Sequence, residues 1–297
     1  MHNMALSASV VPEMSKTYRR SRFINSTFET LLWACGLAAF LLPVAIAGYL
    51  VAEGAGAISL SFITDFPRGM PLGTKGGIMP AIEGSLGLAA IGLALALPFA
   101  LGGGIYLSEY GRGQWISSVI RFLVENLAAI PAIIYGLFGY AFLVVFLKFG
   151  ISLISGGIVL ALIMFPIILI SVQEALRSAD DVCRESGLCL GVTRAYMIRR
   201  VLLPRAWPRI IAGVVLAVGH AVGSAAPVLF TASVYFSKGG LRLKEPVMTL
   251  PTHLYNLVSE AVSFEQAYGT ALVLIMGLLL FNSSAMLLRR MGGSENK

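Results

Sequence analysis

Six apolar runs govern what this chain can fold into: about Phe28–Ala52, Ile82–Leu107, Ile120–Leu147, Ile151–Val172, Ile210–Ser233 and Gln266–Leu288. A hydrocarbon core of about 30 Å is crossed by roughly 20 helical residues rising about 1.5 Å each, so every run is long enough to span a bilayer. Hydrophobic residues make up 57% of the 297 and charged residues 12%. Soluble domains carry about 25% charge, so lipid solvates most of this surface. Pro43, Pro98, Pro131, Pro166 and Pro227 fall inside the runs, where neighbouring helices and waters can satisfy the carbonyls they free. Glycines such as Gly102-Gly103-Gly104 and Gly219/Gly223 let helix backbones approach closely. The expected fold is an all-α membrane protein with six transmembrane helices.

Basic residues set the orientation. With both termini cytoplasmic, 16 of the 22 lysines and arginines lie inside and only Arg68, Lys75, Lys148, Lys238, Arg242 and Lys244 lie outside. This is the bias expected of a multi-pass inner-membrane protein in bacteria. Residues 1–27 read as a cytoplasmic tail, 28–290 as the six-span domain with a cytoplasmic loop at 174–208, and 291–297 as a second cytoplasmic tail. The first run is too long for a signal peptide's apolar core and reads as a retained helix. The stretch Ser237–Glu265 reads as lying partly along the outer membrane surface. The net charge of +7 sits beside the spans with no basic run interleaved with aromatics, which argues for membrane lipid and against nucleic acid. Cys35, Cys183 and Cys189 form no CxxC pair and read as small reduced side chains.

Several chemistries are excluded. No glycine-rich loop ends in Gly-Lys-Ser/Thr, so the chain cannot hydrolyse nucleotide itself and any ATPase is a separate subunit. His2, His220 and His253 are too scattered for a zinc site, and no cofactor or metal is expected. An intramembrane serine hydrolase is the competing enzyme class, because His220 and Ser224 would share a helix face at i, i+4. Serine–histidine pairs usually converge from separate segments, which weighs against it.

The polar island between the fourth and fifth runs is the clearest functional signal. Ser178-Ala179-Asp180-Asp181 can start a helix, with acids at the positive end of its dipole. Gly191 suits a helix end, and Thr193 can cap a second short helix ending before Pro204. Two short helices joined at Gly191 would make a projection another protein could grip.

The spacing of Glu185, Gly191, Val201, Leu203 and Pro204 resembles the cytoplasmic coupling loop, the EAA loop, of ABC importer permeases. Further segments are similar to phosphate-uptake permeases of the PstA type: Gly77–Leu86, Tyr106–Tyr110, Ile130–Gly139, Ala226–Ala232, Thr249-Leu250-Pro251 and Tyr268–Leu272. The resemblance implies the ABC importer permease fold and phosphate transport, with a relative importing another oxyanion as the nearest alternative. It also implies a homologous PstC-like permease, two PstB-like ATPases and an extracytoplasmic PstS-like phosphate-binding protein as partners.

The chain departs from that family in its fifth span, where phosphate permeases typically read Arg-Ala-x-Gly-Glu. Here the sequence is His220-Ala221-Val222-Gly223-Ser224, and Ala132 stands where the third span usually has serine. Polar groups near a bilayer midplane are costly and often functional. His220 and Ser224 are therefore expected along the translocation path, with Gly223, Pro227 and Ser85. Pro227 cannot donate to the Gly223 carbonyl, which would leave that oxygen available. A histidine there would make anion passage sensitive to mildly acidic pH.

Overall fold

The computed structural model describes residues 7–111, 113–178, 187, 191–237 and 239–293. The chain divides into two units, residues 1–52 and 53–297. Nearly all of the first is helix α1 (Ser7–Gly54), whose stretch from Asn25 onward is long and apolar enough to cross a membrane. Phe28, Leu31, Trp33, Leu37 and Leu41 place large apolar side chains all round it, as on a helix solvated by lipid.

In the second unit, α2 (Leu60–Thr64) leads into a two-stranded hairpin, β1 (Pro67–Arg68) with β2 (Lys75–Gly76). Helix α3 (Met79–Tyr110) and helix α6 (Leu153–Arg177) form the centre. Their contact is built on glycine. A Cβ on Gly92 would stand 3.1 Å from Leu160 and one on Gly104 would stand 2.6 Å from Val172. Equal steps along both helices mean that they run in the same direction, so the chain must cross back once between them. Leu160, Met164, Ile168, Leu169, Val172 and Leu176 fill the core along α6.

The third apolar run makes that return crossing, but not as the single span expected. It is two helices, α4 (Trp115–Ala129) and α5 (Ala132–Phe146), bent by 95° at Ile130-Pro131. A proline pushes the preceding residue out of helical geometry, and Ile130 is extended at φ −70°, ψ 128°. Tyr135 ties the elbow by donating its hydroxyl hydrogen to the Leu127 carbonyl at 2.8 Å.

Helix α7 (Arg194–Val222) runs antiparallel to α6, pairing Arg209 with Ser178 and Gly213 with Ser171. The fifth run, expected as one helix over Ile210–Ser233, stops at Val222. A short helix α8 (Ala225–Thr231) follows after a break at Gly223-Ser224. Helix α10 (Phe264–Gly293) closes the bundle against α7. Among the described residues, five unbroken helices, α1 included, and one bent pair have the length and composition of membrane spans.

The segment before α10 is folded onto the ends of α3 and α6. Leu153 and Ile154 donate their N–H groups to the carbonyls of Glu245 and Leu243, at 2.9 and 3.0 Å. Within this segment, α9 (Leu250–Ser259) starts from a reciprocal Thr249–Thr252 cap and buries His253 and Leu257. By these helix directions Arg121, Arg177, Arg194 and Arg209 lie at one end of the bundle. Arg68, Lys75, Lys148, Arg242 and Lys244 lie at the other, so the sequence bias becomes a partition in space.

Candidate translocation and coupling sites

The coupling loop begins where α6 ends. Ser178 closes α6, its N–H bonding the Glu174 carbonyl, and Arg209 donates to its hydroxyl; the rest of the helix start expected at Ser178–Asp181 lies outside the described residues. Asp180, Asp181, Cys183, Glu185 and Cys189 lie outside the described residues. Gly191 has φ +74°, the left-handed conformation that costs glycine least, with open space around it. Thr193 then caps α7, its hydroxyl accepting the Tyr196 N–H at 3.4 Å.

The helix started by Thr193 does not end before Pro204. Ile198–Leu202 form a wider π-helical turn, and the helix continues through Pro204 and Pro208. Pro204 would remove one i→i−4 bond from a regular helix, and the wider turn re-routes bonding next to it. Ile198, Leu202, Ala206 and Ile210 are buried at i, i+4 spacing. Val201 and Leu203 are half-buried on the flanks, and Pro204 is exposed. The motif residues therefore lie at the surface of a helix whose neighbouring residues anchor it.

The second site is the break between α7 and α8. His220 occupies the last turn of α7 and is exposed. Ser224 lies beyond the helix end, so the pair does not share a continuous helix face. Its hydroxyl donates to the His220 carbonyl at 2.9 Å and satisfies one of the orphan acceptors of the terminating helix. Pro227 is the third residue of α8, where its missing N–H breaks no intrahelical bond. The break, and not Pro227, is what frees the backbone around Gly223.

Packing on both sides holds the break in place. Gly136 of α5 lies against Pro227, and Thr231 donates its hydroxyl hydrogen to the Pro227 carbonyl at 2.7 Å. On the other side Gly219 faces Asn282 of α10, whose Oδ1 would be 3.4 Å from a Cβ at that glycine. Asn282 is a polar residue at the break that the sequence reading did not single out. Ser85 is 6% exposed and accepts the Leu250 N–H at 2.9 Å, fixing the start of α9. It shares an apolar cavity of about 240 Å³ with Val218, Gly219, Leu250 and Gly277, one residue from His220 in the chain.

Irregular backbone at membrane depth is tolerated where it is buried in protein or lines a polar cavity. Among the described residues no group of three or more His, Cys, Asp or Glu is placed to hold a metal. The hydroxyl of Ser224 is directed to a backbone carbonyl and not to an imidazole, so the pair is not arranged as nucleophile and base.

A helical bundle of apolar spans with one span broken at Gly223-Ser224 and a polar segment of the chain between α6 and α7 is the architecture of a membrane permease. Residues 100–292 match the family of binding-protein-dependent transport system inner membrane components, and the chain belongs to it. It is 31% identical to the phosphate transport system permease protein PstA 1 of Mycobacterium tuberculosis (strain CDC 1551 / Oshkosh), over 91% of this chain and 90% of that protein. It is 29% identical to the probable ABC transporter permease protein YqgI of Bacillus subtilis (strain 168), over 84% and 90%. Among solved structures, the fold is similar to an inward-facing MetNI methionine ABC transporter (TM-score 0.58, 19% identity, 73% of this chain and 94% of that one). It is also similar to a bacterial alginate ABC transporter (TM-score 0.56, 14% identity, 96% and 100%). The chain is thus an inner-membrane transporter subunit and not an enzyme. It works with a separate ATPase and a substrate-binding protein.

Proposed function

We propose that this chain is one permease subunit of an ATP-driven importer of inorganic phosphate. The observation that carries the reading is the 31% identity, over about nine-tenths of both chains, to proteins named as phosphate transport permeases. The assembly pairs it with a homologous PstC-like permease, two PstB-like ATPases and a PstS-like phosphate-binding protein. Both termini and the Ser178–Thr193 loop face the cytoplasm.

In this reading the ATPase grips the loop around Glu185 and Gly191. Its closure is transmitted through α7, which is one continuous helix from Arg194 to the break at Val222. Movement of that rod alters the break, where His220, Gly223 and Ser224 line the path of the anion. An imidazole and a hydroxyl there offer hydrogen bonds to an oxyanion without the fixed charge of an arginine. The test is ATPase stimulation of the reconstituted complex by its loaded binding protein. Stimulation by phosphate and not by sulfate or molybdate supports the assignment; stimulation by another oxyanion alone replaces phosphate as the substrate.

A further inference from the structure

Three buried side-chain atoms have no hydrogen-bond partner among the described residues: Ser117 Oγ, Arg121 Nε and Gln173 Nε2. Buried polar groups are nearly always paired, and each unpaired one needs an explanation. Ser117 and Arg121 are four residues apart and lie on one face of α4, which also buries Val124. The helix that α4 packs against is α6, and α6 carries Gln173. Ser117 is 4% exposed and Gln173 is 5% exposed, so water does not reach them freely.

The opposite face of α4 is apolar and exposed through Trp115, Val119, Phe122 and Leu123. Ser117 and Arg121 thus place polar groups on the buried face of α4 beside Val124, while its exposed side carries large apolar residues. All three unpaired groups can donate a hydrogen bond, and one is cationic with no carboxylate among them. Such a set selects an acceptor-rich anion and rejects a metal ion.

We propose that Ser117, Arg121 and Gln173 form a site for a phosphate group at the contact of α4 with α6. Gly213 of α7 lies against Ser171 of α6, and Gln173 is two residues from that level while His220 is seven residues away in the opposite direction, so the two are about 14 Å apart along the helix axes. The site is therefore separate from the translocation break and does not depend on which anion crosses there. Its phosphate has two possible sources: the headgroup of an anionic phospholipid whose tails cover the apolar face of α4, or inorganic phosphate from solution.

The experiment uses the assembled complex in nanodiscs, as wild type, Arg121→Gln and Gln173→Leu. Nanodiscs contain phosphatidylcholine alone, or phosphatidylcholine with phosphatidylglycerol, each with and without inorganic phosphate. Melting temperature is followed, and native mass spectrometry counts retained phosphatidylglycerol. A headgroup site raises the wild-type melting temperature by about 3 °C with phosphatidylglycerol, and both variants lose that rise and the retained lipid. A free-phosphate site gives the same pattern with inorganic phosphate in phosphatidylcholine. Gln173→Leu keeps its volume and removes an unpaired amide, so in phosphatidylcholine alone it melts no lower than wild type. Equal responses of wild type and both variants to each additive, or no response in wild type, would overturn the site.

Discussion

Gly136 and Pro227 meet backbone to backbone: a Cβ at Gly136 would stand 2.7 Å from the Pro227 Cα and 3.2 Å from the Ala226 carbonyl oxygen. This contact seats the short helix α8 on α5 and holds the end of the broken span in place. Gly136→Ala forces α8 outward and is expected to cost about 1–3 kcal/mol. Thermal unfolding of the purified complex measures that loss, and an unchanged melting temperature would mean that α8 is not seated on α5.

Gly191 is strained for any other residue by conformation and not by space. Gly191→Val places a β-branched side chain at φ +74°, whereas Gly191→Asn adopts that region at lower cost. The valine variant is expected to insert normally but lose transport and ATPase co-purification, with asparagine in between. Glu185→Lys is expected to impair coupling in the same assay. Unchanged uptake and co-purification in both Gly191→Val and Glu185→Lys would remove the loop from the coupling pathway.

Topology follows from the partition of basic residues between the two ends of the bundle. Reporter fusions after Arg22, Arg121, Pro204 and Arg290 are expected to report cytoplasm. Those near Lys75, Lys148 and Lys244 are expected to report the outside. A cytoplasmic signal at Lys244 contradicts the proposed orientation.

His253 lies in α9, outside the spans, and burial lowers its pKa from 6.5 to about 4. Between those values the unfolded chain binds a proton that the folded chain refuses. Stability therefore falls as pH drops from 6.5 toward 4, by up to about 3 kcal/mol for this group. Unfolding followed across that window is expected to show the loss in wild type. In His253→Gln the contribution is absent.

The spans were legible because lipid forces the backbone to satisfy itself within each helix, and only long apolar runs do that. The proline effects were not. Pro98 and Pro166 sit inside continuous helices, while Pro131 marks a 95° elbow. What separates them is tertiary: the Tyr135–Leu127 bond at the elbow joins groups that no periodicity links. The break at Gly223 was hidden for the same reason, since an apolar run containing glycine reads as one helix. Gln173 and Asn282 went unnoticed because a lone polar residue in an apolar run shows its importance only through what it faces. Gly191 and Thr193 were legible because turn and cap chemistry is local.

The central claim is that substrate passes the break beside His220. Phosphate uptake by the assembled complex in vesicles measures it directly, for wild type, His220→Leu and His220→Arg across pH 5.5–8, with assembly checked by co-purification of all subunits. His220→Leu removes both ring nitrogens and is expected to cut uptake by about tenfold or more at every pH, the scale of one hydrogen bond to a charged group. His220→Arg keeps donors at that position and retains measurable uptake. Wild-type uptake by a fully assembled His220→Leu complex at every pH would contradict the claim.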